Sequence, residues 1–278
     1  MTDPARGRVL IIAGSDSGGG AGIQADIKAV MALGGYATTA ITALTAQNTQ
    51  GVHGVLPIPP EFVRLQMSVV LDDIGADAVK TGMLGSADVV RAVAAVLRQH
   101  ARGVPLVVDP VMVAKGGARL LDDAAVAVLR RDLLPLATLL TPNIPEAEVL
   151  TGLTISDHAA ARRALQTLLD LGAPSVLLKG GHLPGTVVQD LLATHGGIEV
   201  IETPRIDTRH THGTGCTLAS AIAAGLAQGM SLQDAVQRGT AYVHAAILAA
   251  PGFGAGHGPL GHGVTVDAGR LAWTPTRG

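Results

Sequence analysis

The chain has 278 residues, of which 47% are hydrophobic and 2% aromatic, and its formal net charge is −2 at pH 7. That charge leaves no electrostatic footprint for nucleic acid or an anionic membrane, and two Phe, two Tyr and one Trp cannot build a base-stacking platform. A single cysteine excludes an internal disulfide and fits a reducing compartment.

Residues 8–14, "RVLIIAG", predict a buried strand. The apolar run 9–13 is too short for a signal peptide, and no stretch approaches the ~20 apolar residues of a membrane span, so a soluble cytoplasmic protein is expected. A glycine-rich turn then leads into a helix over 21–33, which Gly34 and Gly35 end. "TTAITAL" predicts a strand, "PEFVRLQMSVVLDDIG" a helix opened by Pro-Glu, and "DAVKTG" a short strand. "SADVVRAVAAVLRQH" carries a Ser N-cap signal and apolar positions Val89, Val93, Val96 and Leu97. "VPLVVDP", "TLLTPN" and "PSVLLKGG" predict three more strands with polar carboxyl ends. Residues 186–203 predict a β pair around "HGGIE", and helices over 214–228 and 231–249 follow.

This alternation, without a linker or a break in composition, predicts a single α/β domain over 1–278 with a mostly parallel sheet and a glycine-rich tail after 251. In such sheets ligands bind beyond the carboxyl ends of the strands. Five polar strand ends, at 14–16, 80–82, 109–110, 141–143 and 179–181, are therefore expected on one rim.

The motifs narrow the chemistry. There is no G-x-x-x-x-G-K-[ST] loop, and "GHGPLG" fits a dinucleotide fingerprint by letters while lying in the tail rather than after the first strand. His210, His212, His257 and His262 lack the cysteine partners or H-E-x-x-H spacing of a metal site. In "HTHGTGCTLASAIAAGLAQG", Thr214 is a candidate N-cap and Cys216 falls in the first turn of an apolar helix. There the thiol is either activated by unpaired N–H groups, which would lower its pKa and attract phosphate, or a small buried hydrophobe. Gly18, Gly19, Gly20 and Gly22 exceed what a tight strand-to-helix turn requires and suggest close approach of backbone to a ligand. Asn143 and Glu146 either hold water around Mg²⁺ or serve the start of a helix, and Lys179 either meets phosphate or lies on the surface.

Together "AGSDSGGGAGIQAD", "ITALTAQNT", "VKTGML", "VVDPVMVAKGG", "TPNIPEAE", "LLKGGH", "HTHGTGCT" and "GAGHGP" closely resemble the hydroxymethylpyrimidine/phosphomethylpyrimidine kinases of the ribokinase-like superfamily. The likeness spans residues 8–263, and Cys216 stands where most of the superfamily has an Asp base. It implies a three-layer α/β/α fold with a small β flap. It also implies phosphorylation by ATP of 4-amino-5-hydroxymethyl-2-methylpyrimidine and then of its monophosphate, in thiamin biosynthesis.

By the same resemblance Cys216 is the general base, Gly213, Thr214 and Gly215 hold the transferring phosphoryl group, and Lys179 neutralises the ATP phosphates. Asp109, Asn143 and Glu146 organise Mg²⁺, largely through water, and Gln47 pairs with the aminopyrimidine edge, with Gly14, Asp26 and Met83 around the ring. A homodimer is implied through the flap, with 186–203 as part of it, and no fused synthase is expected. Gly117 replaces a frequent Ser, and His210 a frequent Asn. A pyridoxal or pyridoxine kinase is the alternative. A cysteine hydrolase pairing Cys216 with His212 or His210 leaves Lys179 and the glycine loop unexplained, and an intact Cys-Lys-Glu set argues against a nucleotide sensor.

Overall fold

The computed structural model describes residues 7–112 and 121–267; Gly117 lies outside them. After β1 (Arg8–Ala13), α1 (Gly22–Ala32) and β2 (Tyr36–Ile41), the chain forms a hairpin of β3 (Ala43–Asn48) and β4 (Gly51–Pro57). α2 (Pro60–Asp73), β5 (Ala78–Thr81), α3 (Ala87–His100) and β6 (Leu106–Val108) follow. Next come α4 (Asp123–Val128), β7 (Leu139–Leu140), α5 (Ile144–Thr151), α6 (His158–Asp170) and β8 (Ser175–Leu178). β9 (Val187–Thr194), β10 (Gly197–Pro204), α7 (Thr214–Ala227) and α8 (Leu232–Leu248) complete the order.

Eight strands form one sheet in the order β10-β9-β8-β7-β6-β5-β1-β2, in which β9 alone runs antiparallel to the others. Strand alternation divides the apolar residues between two cores. Leu10, Ile12, Val79, Val108, Leu140 and Leu178 face α2 to α6, whereas Val9, Ile11, Val107, Leu139 and Leu177 face α1, α7 and α8. This is the expected three-layer α/β/α fold, and it explains how a core with so few aromatics packs. Side chains at Gly225 or Gly239 would press into Ala235 or Ile222, so small residues let α7 and α8 approach closely.

Two sequence expectations change in detail. "TTAITAL" is two strands, because Thr42 turns the chain out of the sheet. Its N–H donates to the Ala13 carbonyl at 3.0 Å and its hydroxyl to the Met83 carbonyl at 2.6 Å. The separate two-stranded flap is therefore β3–β4, while the β pair expected at 186–203 extends the main sheet through β8 and β9. Burial favours that outcome, since Leu191 and Leu192 face opposite cores and neither could sit on an isolated hairpin without exposure. No helix among the described residues is long and apolar enough to cross a membrane.

Candidate active site

The chain runs outward from β1 to β2 and returns on the other side at β5, so the sheet reverses direction at the carboxyl end of β1. A cavity of about 800 Å³ opens there. Its walls include Gly14, Gln47, Met83, Asp109, Asn143, Glu146, Lys179, Gly213, Thr214, Gly215 and Cys216. Eleven of the twelve sequence-derived candidates are thus brought together. The exception is Asp26, which is fully buried on α1 beneath the cavity floor.

α7 begins at the centre of this cavity. Its N-cap is Gly213 rather than the expected Thr214, with φ +83°, and no side chain caps the helix. A Cβ on Gly213 would fall 1.8 Å from the Gly20 carbonyl oxygen, so only glycine can bring the two loops together. The first-turn N–H groups lack intrahelical acceptors, that of Thr214 reaching the Thr211 carbonyl at 3.4 Å, and Gly213, Thr214 and Gly215 line the cavity, a ready anion site. Gly215 lies against Lys179, where a Cβ would be 3.1 Å from Nζ.

The expectation of a lowered thiol pKa at Cys216 is not met. Burial pushes it up to about 12, and the carboxylates of Asp26 and Asp109 act in the same direction. Lys80 and an N–H from Gly22, in the first turn of α1, pull it back down. Desolvation outweighs the helix terminus here.

Beside Gly215, Lys179 Nζ donates to Asp109 Oδ1 at 2.9 Å and lies 3.9 Å from Glu146 Oε2. Burial works against its charge, but Asp109 and Glu146 outweigh that and hold the ammonium above its usual range. Burial pushes the Glu146 carboxyl up to about 7, against the pull of Lys179 and with the like charge of Asp109. Asn143 caps α5: its side chain accepts from the Glu146 N–H at 2.9 Å, and its own N–H donates to Glu146 Oε2 at 2.8 Å. The pair therefore serves the start of the helix, as one of the two sequence readings had it, and it also lines the cavity. No group of three His, Cys, Asp or Glu suited to a metal ion occurs among the described residues.

At the flap end Gly14 and Met83 form a narrow slot, since a Cβ on Gly14 would meet Met83 Cε at 2.3 Å. Gln47 reaches in from β3. The sequence missed Asp16 and the use of His212 here. Asp16 accepts from the N–H groups of Gly18, Gly20 and Ala21 at 2.8, 3.1 and 2.8 Å, and His212 Nε2 is 2.9 Å from its Oδ2. Burial opposes the charge on Asp16, but His212 and these N–H groups hold its carboxyl below the usual range. The glycines therefore wrap the protein's own carboxylate. His212 Nε2 also lies 3.3 Å from Gln47 Nε2, which ties the flap to the residue before the anion site. His262 is buried against the Thr217 hydroxyl at 2.9 Å.

Residues 16–261 match the family described as phosphomethylpyrimidine kinase. The hydroxymethylpyrimidine/phosphomethylpyrimidine kinase of Streptomyces coelicolor is 51% identical over 255 residues, 92% of this chain and 94% of that one. The thiamine biosynthesis bifunctional protein of Geobacter sulfurreducens is 55% identical over 257 residues, 92% of this chain; the chain spans about half, 52%, of its length. In structure, the ADP complex of Bacillus subtilis pyridoxal kinase aligns with a TM-score of 0.87 at 36% identity, covering 94% of this chain and 98% of that one.

Proposed function

The chain belongs to the phosphomethylpyrimidine kinase family and is a phosphotransferase of ribokinase-like fold; from that premise we propose that it uses ATP to phosphorylate 4-amino-5-hydroxymethyl-2-methylpyrimidine, and then the monophosphate, for thiamin biosynthesis. The observation that carries the reading is the meeting of a single cysteine, a helix N-terminus without a side-chain cap and a half-buried lysine in one cavity. Phosphoryl transfer needs positioning and charge neutralisation, which this arrangement supplies. The donors of Gly213, Thr214 and Gly215 hold the transferring group, Lys179 meets the phosphates, and Cys216 takes the hydroxymethyl proton. A relative named for the pyrimidine activity is 51% identical and one named for thiamine biosynthesis 55%, against 36% for the pyridoxal kinase, which favours the pyrimidine over pyridoxal. Turnover of the pyrimidine alcohol against pyridoxal tests the choice.

Asp109 and Glu146 offer hard oxygen donors in the cavity wall, and that donor set fits a hydrated Mg²⁺. When bound, Mg²⁺ supplies charge neutralisation at the phosphates. Asn143 acts by fixing Glu146. The far end of the cavity, lined by Pro204, Ile206, Thr240, Val243, His244 and Ile247, suits the nucleoside of ATP. Thr240 Oγ1 and His244 Nε2 are buried there without a hydrogen-bond partner among the described residues.

Gln47 offers both a donor and an acceptor to the pyrimidine edge. Gln47→Leu is expected to weaken pyrimidine binding by roughly 1–3 kcal/mol per lost partner while ATP affinity stays near wild type. Calorimetric titration with each ligand reads this, and unchanged pyrimidine affinity would remove Gln47 from the site.

A cytoplasmic homodimer completes the reading. Leu44, Val55 and Leu56 on the flap and Phe62, Leu65 and Val69 on α2 are exposed, the helical set at i, i+3 and i+7. Leu65→Asp is expected to sediment as a folded monomer where the wild type sediments as a dimer. A wild-type monomer at the same concentration would end this part of the reading.

A further inference from the structure

Directly beneath the anion site, Lys80 on β5 and Asp26 on α1 form an ion pair in which both side chains are wholly buried. Lys80 Nζ lies 2.9 and 2.8 Å from the two Asp26 oxygens, and the Ser220 hydroxyl donates to Asp26 Oδ1 at 2.7 Å. Ser220 stands one helical turn beyond Cys216 on α7, so the pair lies against the face of the helix that carries the thiol. A buried ion pair of this kind adds little to stability compared with apolar residues of equal volume. Its placement is therefore more informative than its strength. Burial opposes the charge on Lys80, but Asp26, Cys216 and Asp109 outweigh that and keep it an ammonium. An ammonium has three donors, and the two Asp26 contacts leave one over.

We infer that Lys80, held in place by Asp26 and Ser220, is the fixed cation that lets the Cys216 sulfur exist as a thiolate, and that Asp26 sets how much of that charge the sulfur receives. Both act on the reaction through Cys216 and are positioning residues, so the functional meaning of the inference rests on Cys216 being the base. Asp26 then has its role below the cavity floor instead of at the substrate ring. The other charged or titratable groups that line the thiol's cavity include Asp16 after β1, Asp109 after β6, Glu146 on α5, Lys179 after β8, His212 before α7 and His244 on α8. None of these is joined to Lys80 by a hydrogen bond or ion pair among the described residues.

Because Cys216 is the only cysteine, its alkylation rate at fixed pH reports the thiolate fraction of that one sulfur. Iodoacetamide labelling at pH 8, followed by intact mass, is expected to be at least tenfold slower in Lys80→Met than in wild type. In Asp26→Asn, which removes the competing carboxylate and keeps the cation, it is expected to be several-fold faster. Lys80→Arg, which keeps the charge, is expected to stay near the wild-type rate. A purely structural pair predicts no such opposition of signs. Rates in folded Lys80→Met and Asp26→Asn that equal wild type, or that move in the same direction, overturn the inference. If only one of the two folds, the sign of its change decides. Labelling reads the thiol whether or not the enzyme turns over, so failure here is distinct from failure of the base reading, which an active Cys216→Ala protein would show.

Discussion

Cys216→Ala is expected to fold and to bind both substrates with near-native affinity while turning over about 10²–10⁴-fold more slowly, the usual cost of a lost general acid–base group. The backbone donors of Gly213, Thr214 and Gly215 do not depend on the thiol, so the anion site survives the substitution. Cys216→Asp places a more readily ionised group at the same helix end, above Lys80, and is expected to restore part of the rate. A structural cysteine predicts the reverse ranking, with Ala tolerated and Asp destabilising through its buried charge. Steady-state kinetics with thermal unfolding of the three proteins separates the two cases. A folded Cys216→Ala enzyme with wild-type kcat would end the catalytic role.

Lys179→Ala is expected to lower kcat by about 10²–10³-fold, the scale for removing one preorganised charge-stabilising donor, with little change in pyrimidine affinity. The lysine is held between Asp109 and Glu146 and lies against Gly215, at the junction of the carboxylate wall and the anion site. Its removal also leaves the two carboxylates facing each other without a cation. Lys179→Met, which keeps most of the side-chain volume, is expected to lose activity equally and so to separate charge from packing. Normal turnover of either variant at saturating ATP would make Lys179 a bystander.

Much of this site was legible because α/β topology converts chain order into place. Polar residues after successive buried strands had to meet on one rim, and Asp109, Asn143 and Lys179 do. The Ser86 cap and the apolar face of α3 were equally readable, since local spacing alone determines them. The stretch from 122 to 170 was largely unassigned. There a π turn at Leu129–Leu133 and Pro135 interrupt the helical period after α4. α6 carried a usable signal, the Asp157 cap followed by Ala160, Ala161, Ala164, Leu165 and Leu168. What sequence could not show was pairing across the fold. Nothing local to Asp26 reveals that Lys80, 54 residues on, takes both its oxygens, or that Ser220 completes the set. Asp16 was likewise hidden, because its partners are backbone N–H groups and a histidine 196 residues away. The thiol pKa was misjudged for the same reason: helix position is visible in sequence, whereas depth of burial is not.

The central claim is that this cavity transfers phosphoryl groups from ATP to a hydroxymethylated aminopyrimidine, and product mass tests it most directly. The protein is incubated with ATP, Mg²⁺ and equal amounts of 4-amino-5-hydroxymethyl-2-methylpyrimidine and pyridoxal, and the products are followed in time. The account predicts that the pyrimidine gains one phosphoryl group and then a second, ahead of any pyridoxal phosphate. Phosphorylation of pyridoxal alone, or ATP left intact in the presence of both alcohols, would contradict it.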